Sequence, residues 1–113
     1  QIIASYKFPV HIITKSNLVE RDIDILQEIS KTYAAVSFTI TSATDSLAKK
    51  IEPNAPPTSE RYNAMKVLAG KGVYTGVTLM PILPFINDTI ENIETIIRQA
   101  KDSGVSYILL CLV

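Results

Sequence analysis

The chain has 113 residues, of which 11 are Lys or Arg and 11 are Asp or Glu, so its formal net charge is zero. This balance gives no net field that would steer it to nucleic acid or an anionic membrane. Apolar residues make up 47% and charged residues 19%, which excludes the compositions of disordered and fibrous chains. The length predicts one domain, residues 1–113, and excludes a complete eight-stranded α/β barrel of about 250 residues.

Two features of the sequence bear on its compartment. The apolar run from Tyr107 to Val113 is far shorter than the roughly 18 to 20 residues that a membrane span needs, and no signal-peptide pattern opens the chain. We therefore expect a cytoplasmic protein without a membrane partner. Cys111 is the single cysteine, which cannot form an internal disulfide, and its apolar neighbours predict a buried structural thiol.

The first half of the chain alternates strand and helix. Residues 10–15 form a short β-branched strand, and residues 18–33 follow with helical periodicity. In the second strand, residues 35–41, apolar Val36, Phe38 and Ile40 alternate with hydroxyl side chains. This alternation predicts one apolar face packed under helices and one more polar face. Residues 1–7 have the pattern of the end of a preceding helix.

The second half repeats this alternation. A short helix at residues 45–51 and a proline-rich loop precede a helix at residues 59–69, which Gly70 to Gly72 should end. Residues 74–80 form the third strand, which Pro81 should break. The next helix should be capped by Asn87 or Asp88 and should bury Ile90, Ile93, Ile96 and Ile97. The almost wholly apolar composition of residues 105–113 predicts a strand covered on both faces. The strand spacing indicates βαβ units and hence an α/β fold with a parallel sheet of four strands.

Ligands of parallel α/β folds bind beyond the carboxyl ends of the strands. In this chain those ends carry Thr14 to Ser16, Thr39 to Ser42 and Met80 to Ile82. Their hydroxyls and one lysine suit a carboxylate or a hydroxylated ligand. From the pattern alone, Lys15 is equally well explained as a ligand contact or as a solvated side chain.

Other residues that could take part in catalysis or binding are interpreted as structural. His11 lies in the amino-terminal half of its strand and has no Ser or Cys at a triad-like spacing, so we do not expect it to be catalytic. Ser37 is interpreted as a hydrogen-bonded core hydroxyl. The sequence contains no glycine-rich phosphate loop, metal-spaced cluster or paired catalytic carboxylates.

The residues together resemble radical S-adenosylmethionine proteins related to spore photoproduct lyase. The resemblance extends over nearly the whole chain, with its motifs in order on successive strand–helix units. The residues that carry it are His11 to Ser16, Leu18, Arg21 to Asp24, Val36 to Thr41, Lys50 to Asn54, Arg61, Gly76 to Pro84 and Asn87–Asp88.

The resemblance implies a fragment of a TIM-like partial barrel, comprising its strands two to five. It also implies a 4Fe-4S cluster held by a CxxxCxxC loop, with S-adenosylmethionine bound to the cluster and cleaved to a 5′-deoxyadenosyl radical. Lys15 and Thr39 fall on positions that contact the cofactor in the lyase, where a serine stands in place of Thr39. The lyase acts on a thymine dimer in DNA, so nucleic acid is a partner by resemblance only and the substrate is undefined.

The chain also departs from this family. It lacks CxxxCxxC and the family's first strand, so the motif is expected upstream of Gln1, within roughly two strand–helix units of about 30 residues each. We expect the isolated chain to bind neither cluster nor cofactor, to contain no catalytic or metal-binding residue, and to be inactive although its parent is an enzyme. Its two edge strands predict self-association.

Two alternatives remain open at this point. The chain could be a piece of an aldolase or phosphate-binding barrel, whose phosphate loops usually follow later strands. It could also be a non-enzymatic regulatory domain of flavodoxin-like topology. That second alternative predicts an acidic site at the end of the first strand, where this chain has Thr14, Lys15 and Ser16.

Overall fold

Strands and helices alternate along the chain in the computed structural model, which describes residues 1–112. The strands are β1 Val10–Thr14, β2 Ala34–Thr39, β3 Tyr74–Ile82 and β4 Tyr107–Leu112. The α-helices are α1 Ile2–Ser5, α2 Ile23–Ile29, α3 Asp45–Ile51, α4 Thr58–Gly70 and α5 Ile90–Asp102, with a 3₁₀ helix at Asn17–Asp22.

The four strands form one sheet in the order β1-β2-β3-β4, and all neighbouring pairs are parallel. The predicted α/β fold with a four-stranded parallel sheet is therefore confirmed. Each strand pairs with the next one along the chain, so the sheet never reverses its winding direction. A flavodoxin-like sheet has the order 2-1-3-4-5, and the observed order differs from it.

The hydrophobic core lies between one face of this sheet and the helices. Val36, Phe38 and Ile40 are fully buried there, as the alternation in β2 predicted. They belong to one cluster with residues of α2, α4 and α5, including Leu26, Met65, Leu68, Ile96 and Ala100. Burial of side chains of this size contributes about 1.5–3 kcal/mol each, so this face supplies most of the driving force for folding.

Several predicted boundaries and burial assignments were wrong. Thr89, and not Asn87 or Asp88, caps α5, because its side chain accepts from the Asn92 backbone N–H. Ile93 and Ile96 pack in the core, but Ile90 and Ile97 lie exposed beside it. Strand β3 continues through Pro81 to Ile82, with a cis Met80–Pro81 peptide bond. No helix formed by residues 1–112 has the length and apolar character needed to cross a bilayer.

Strand β4 is an edge strand and is less covered than predicted. Leu109 and Leu110, whose side chains alternate across the strand, are 44% and 58% exposed. Cys111 is also exposed, which corrects its prediction as a buried thiol. The prediction extended this strand to Val113, which lies outside the described residues. The apolar run predicted a strand covered on both faces. Within residues 1–112, β4 is the last strand of the sheet and pairs with β3 alone, and its faces are partly exposed.

The face of the sheet opposite the helices carries a polar row across the strands. His11 Nε2 and the Tyr107 hydroxyl each lie 2.7 Å from the Ser37 hydroxyl. Gly76 lies between Ser37 and Tyr107 in the register, and a Cβ there would clash with the Tyr107 ring. Ser37 is thus the hydrogen-bonded core hydroxyl that was predicted. His11, which was not expected to be catalytic, has Ser37 as a hydrogen-bond partner that its sequence spacing did not indicate.

Candidate functional site at the carboxyl ends of the strands

Lys15 and Thr39 lie at the carboxyl ends of neighbouring strands. Thr39 is the last residue of β2, and Lys15 directly follows β1. Thr14 is opposite Phe38 in the parallel register, so the next residue of each strand brings Lys15 beside Thr39. The Lys15 side chain is 47% exposed, whereas Thr39 is buried. The structure therefore brings together the two residues that the resemblance selected.

Two further charged residues connect this pair. Lys15 Nζ donates to Glu52 Oε1 at 2.5 Å, and Arg61 Nη2 donates to Glu52 Oε2 at 2.8 Å. Arg61 also donates from Nη1 to the Thr39 carbonyl at 2.7 Å and from Nε to the Pro56 carbonyl at 3.0 Å. We call these three charged residues the Lys15–Glu52–Arg61 cluster. It joins the end of β1 to the end of β2 through α3 and α4.

The sequence interpretation noted Glu52 and Arg61 only as residues that share the family resemblance. Arg61 itself carried a signal that could have been used. It lies four residues before Met65 and seven before Leu68, so it shares the buried face of α4 with them. A charged residue on the apolar side of a helix must have a buried partner, because an unpaired buried charge is strongly unfavourable. Glu52 is that partner.

The cluster has two cations and one carboxylate, so it carries one net positive charge. Burial would by itself raise the pKa of Glu52, but the hydrogen bonds from Lys15 and Arg61 outweigh this effect and hold the pKa below its usual range. The carboxylate therefore stays ionised at neutral pH. Because the Arg61 side chain is only 1% exposed, the cluster presents its positive charge to solvent through Lys15.

The lowered pKa of Glu52 predicts how stability depends on pH. The unfolded chain takes up a proton near the ordinary glutamate pKa of about 4.3, while the folded chain resists protonation to a lower pH. The contribution of Glu52 is thus fully present above that value and is lost as pH falls through the folded pKa. We expect urea unfolding to show a smaller loss of stability below pH 5 in Glu52→Gln than in the native chain.

The comparison between these two chains is needed because Asp45 also has a lowered pKa, through hydrogen bonds from the Ser59 hydroxyl and backbone N–H. Asp45 contributes equally to both chains, so the difference between their pH profiles isolates Glu52. Parallel profiles would contradict the assignment.

A second polar network joins the ends of β2 and β3. The Asn87 side chain is fully buried and donates from Nδ2 to the carbonyls of Thr41 and Pro81 at 2.9 and 3.1 Å. Its Oδ1 accepts from the Leu83 backbone N–H at 2.6 Å. Asn92 donates to the same Thr41 carbonyl at 3.2 Å. These amides fix the loop after β3 against the end of β2, which makes this edge of the sheet a rigid surface.

Hydroxyl groups line the face of the sheet next to the cluster. The Thr39 and Thr78 hydroxyls lie 3.0 Å apart and are hydrogen-bonded, with either group able to donate. Thr41 Oγ1 is buried and has no hydrogen-bond partner within the part of the chain that the structure describes.

These groups fit one part of the implied cofactor site and not another. A half-exposed ammonium beside hydroxyls suits the carboxylate of an amino-acid ligand. In contrast, no group of three or more His, Cys, Asp or Glu residues that could hold a metal ion exists among residues 1–112. Lys15 and its neighbouring hydroxyls thus suit a ligand carboxylate, whereas residues 1–112 offer no set of ligands for an iron–sulfur cluster.

No protein-family model matches the chain. Comparison with curated proteins gives relatives that are much longer than the chain. It is 32% identical over 108 residues to the uncharacterized protein ORF301 of Acidianus two-tailed virus, a match that covers 93% of the chain and 35% of the relative. It is 36% identical over 90 residues to the uncharacterized protein MJ0683 of Methanocaldococcus jannaschii, covering 80% and 32% respectively. A third relative, the uncharacterized protein Rv2578c of Mycobacterium tuberculosis, is 22% identical over 99 residues, covering 87% and 29%. The chain thus spans about a third of the length of the curated relatives it matches.

Proposed function

We propose that the chain is part of a radical S-adenosylmethionine enzyme of the spore photoproduct lyase-like group, comprising strands two to five of its partial barrel. The observation that carries the proposal is the arrangement of Lys15 and Thr39. The resemblance selected these two residues separately, and they lie side by side at the carboxyl edge of the sheet, joined through Glu52 and Arg61. The sequential strand order and the single core under one face are what a piece of a singly wound barrel requires.

In the intact enzyme, Lys15 donates charge-assisted hydrogen bonds to the carboxylate of S-adenosylmethionine. The Thr39 hydroxyl, which is hydrogen-bonded to Thr78 in this structure, would exchange that bond for one to the ligand. When bound to each other, the iron–sulfur cluster and S-adenosylmethionine would supply one-electron reductive cleavage of a carbon–sulfur bond. The ligands of the iron–sulfur cluster would lie in a segment outside this chain, as the greater length of its relatives allows.

The proposal concerns the cofactor and leaves the substrate open. The chain has balanced charge, so its composition gives no separate support for a DNA substrate. An aldolase or phosphate-binding barrel would share the strand order. It would also bring strand-end residues together at one edge. The radical enzyme is preferred because the resemblance extends over nearly the whole chain, with its motifs in order on successive strand–helix units.

Replacement of Lys15 tests the proposed cofactor contact. In the cluster-loaded intact protein, handled without oxygen, Lys15→Ala should weaken S-adenosylmethionine binding by about 1.5–3 kcal/mol, the range for hydrogen bonds to charged groups. This corresponds to roughly a 10- to 150-fold rise in Kd measured by calorimetry. Lys66→Ala is the matched control, because Lys66 is exposed on α4 and is not part of the Lys15–Glu52–Arg61 cluster. Equal affinity of Lys15→Ala and the native protein would show that Lys15 does not contact the ligand.

A further inference from the structure

We propose that Glu52 is a positioning residue that fixes the Lys15 ammonium group for the carboxylate of the bound ligand. This inference rests on the proposed function and goes beyond it, because it assigns a role to a residue that would not itself touch the ligand. It also accounts for a carboxylate side chain beside the proposed contact for the ligand's carboxylate group, where a negative charge would otherwise oppose binding.

The scaffold behind Glu52 is rigid. Arg61 is held by the carbonyl groups of Thr39 and Pro56 in addition to the Glu52 carboxylate. Its side chain is 1% exposed, and that of Glu52 is 9% exposed. Glu52 is therefore anchored through one oxygen to a buried guanidinium and offers the other oxygen to Lys15. A lysine at the edge of a sheet would otherwise sample many rotamers, and ordering it on binding would cost affinity.

The charges of the cluster are consistent with this role. Glu52 alone would cancel the charge of Lys15, but Arg61 compensates the carboxylate, so one positive charge remains for a ligand. An ammonium group has three N–H donors, of which Glu52 accepts one. Lys15 can thus keep its contact with Glu52 while it binds an oxygen of the ligand.

The experiment compares two ligands that differ only in the carboxylate, S-adenosylmethionine and decarboxylated S-adenosylmethionine, on the intact cluster-loaded protein. Glu52→Asp keeps the net charge but is one methylene too short to reach both Lys15 and Arg61. We expect it to weaken binding of S-adenosylmethionine by about 3- to 10-fold, the cost of ordering one flexible side chain. Binding of the decarboxylated ligand should be unchanged. In a Lys15→Ala background, Glu52→Asp should have no effect on either ligand.

Glu52→Gln is a second variant, for which positioning and simple charge repulsion predict opposite changes in the affinity for S-adenosylmethionine. If Glu52 only repels the ligand carboxylate, Glu52→Gln should bind S-adenosylmethionine more tightly. Positioning predicts weaker binding, because the glutamine amide has one acceptor oxygen for two donors, so its N–H groups must face either Lys15 or Arg61. Tighter binding by Glu52→Gln, or equal losses for both ligands, would overturn the inference.

The same measurements separate this inference from the proposed function. Should the native protein fail to bind S-adenosylmethionine, the proposed function fails and the inference fails with it. If the native protein binds and Lys15→Ala binds weakly while Glu52→Asp binds normally, the proposed function stands and only the role of Glu52 is wrong. Retained binding of the decarboxylated ligand shows directly that each variant is folded.

Discussion

Replacing Arg61 by Met is expected to destabilise the fold by about 3–5 kcal/mol, the cost of removing one member of a buried ion pair. Methionine fills much of the same volume, so the loss is chiefly electrostatic and in hydrogen bonding. The carbonyls of Thr39 and Pro56 lose their donors, and the poorly exposed Glu52 carboxylate keeps only its contact with Lys15. Urea unfolding gives the free energy of unfolding directly.

Arg21→Met is the matched control for this experiment. The Arg21 side chain is 79% exposed, and its ion pair with Asp22, at 3.3 Å, lies in solvent. We expect this control to change stability by no more than about 0.5 kcal/mol. A loss below about 1 kcal/mol for Arg61→Met would mean that the buried cluster does not hold the two strand ends together.

The second large effect is expected at Asn87. Its side chain accepts from the Leu83 N–H and donates to the Pro81 and Thr41 carbonyls. Of these three groups, the Thr41 carbonyl also accepts a hydrogen bond from Asn92. Each buried polar group left unsatisfied costs about 1–3 kcal/mol. Leu83 and Pro81 keep some access to water, so we expect Asn87→Ala to cost about 3 kcal/mol in urea unfolding.

Asn63→Ala is the corresponding control, because Asn63 is exposed on α4. It should leave stability nearly unchanged. If Asn87→Ala and Asn63→Ala had equal stability, the amide network would contribute nothing to the edge of the sheet. The loop after β3 would then be held by its apolar contacts alone.

The main architecture could be predicted from the sequence because its patterns are local. The alternation in β2 marks its buried face within a few residues, and the spacing of strands implies parallel pairing. Helix α5 was found by its apolar stripe, but its start was misplaced because Asn87, Asp88 and Thr89 are all competent capping residues. Asn87 was instead used as a buried tertiary contact, which no local pattern reveals.

The site could be predicted only in part, because its contacts join residues far apart in the chain. Lys15 and Glu52 are separated by 37 residues, and His11 and Ser37 by 26. Strand-end position and resemblance were enough to select Lys15 and Thr39. Neither indicates which carboxylate would approach them, since that depends on how α3 and α4 return over the sheet. The exposure of β4 was misjudged for a related reason, since its composition does not show that it lies at an edge.

The most direct measurement of the proposed function is reductive cleavage of S-adenosylmethionine by the intact protein. The protein would be prepared without oxygen, loaded with iron and sulfide, and incubated with S-adenosylmethionine and a one-electron reductant. Chromatography would then detect 5′-deoxyadenosine. The proposal predicts that it forms with the native protein and only when the reductant is present, and that Lys15→Ala forms much less at low ligand concentration. Absence of 5′-deoxyadenosine from a cluster-loaded protein would contradict the proposal.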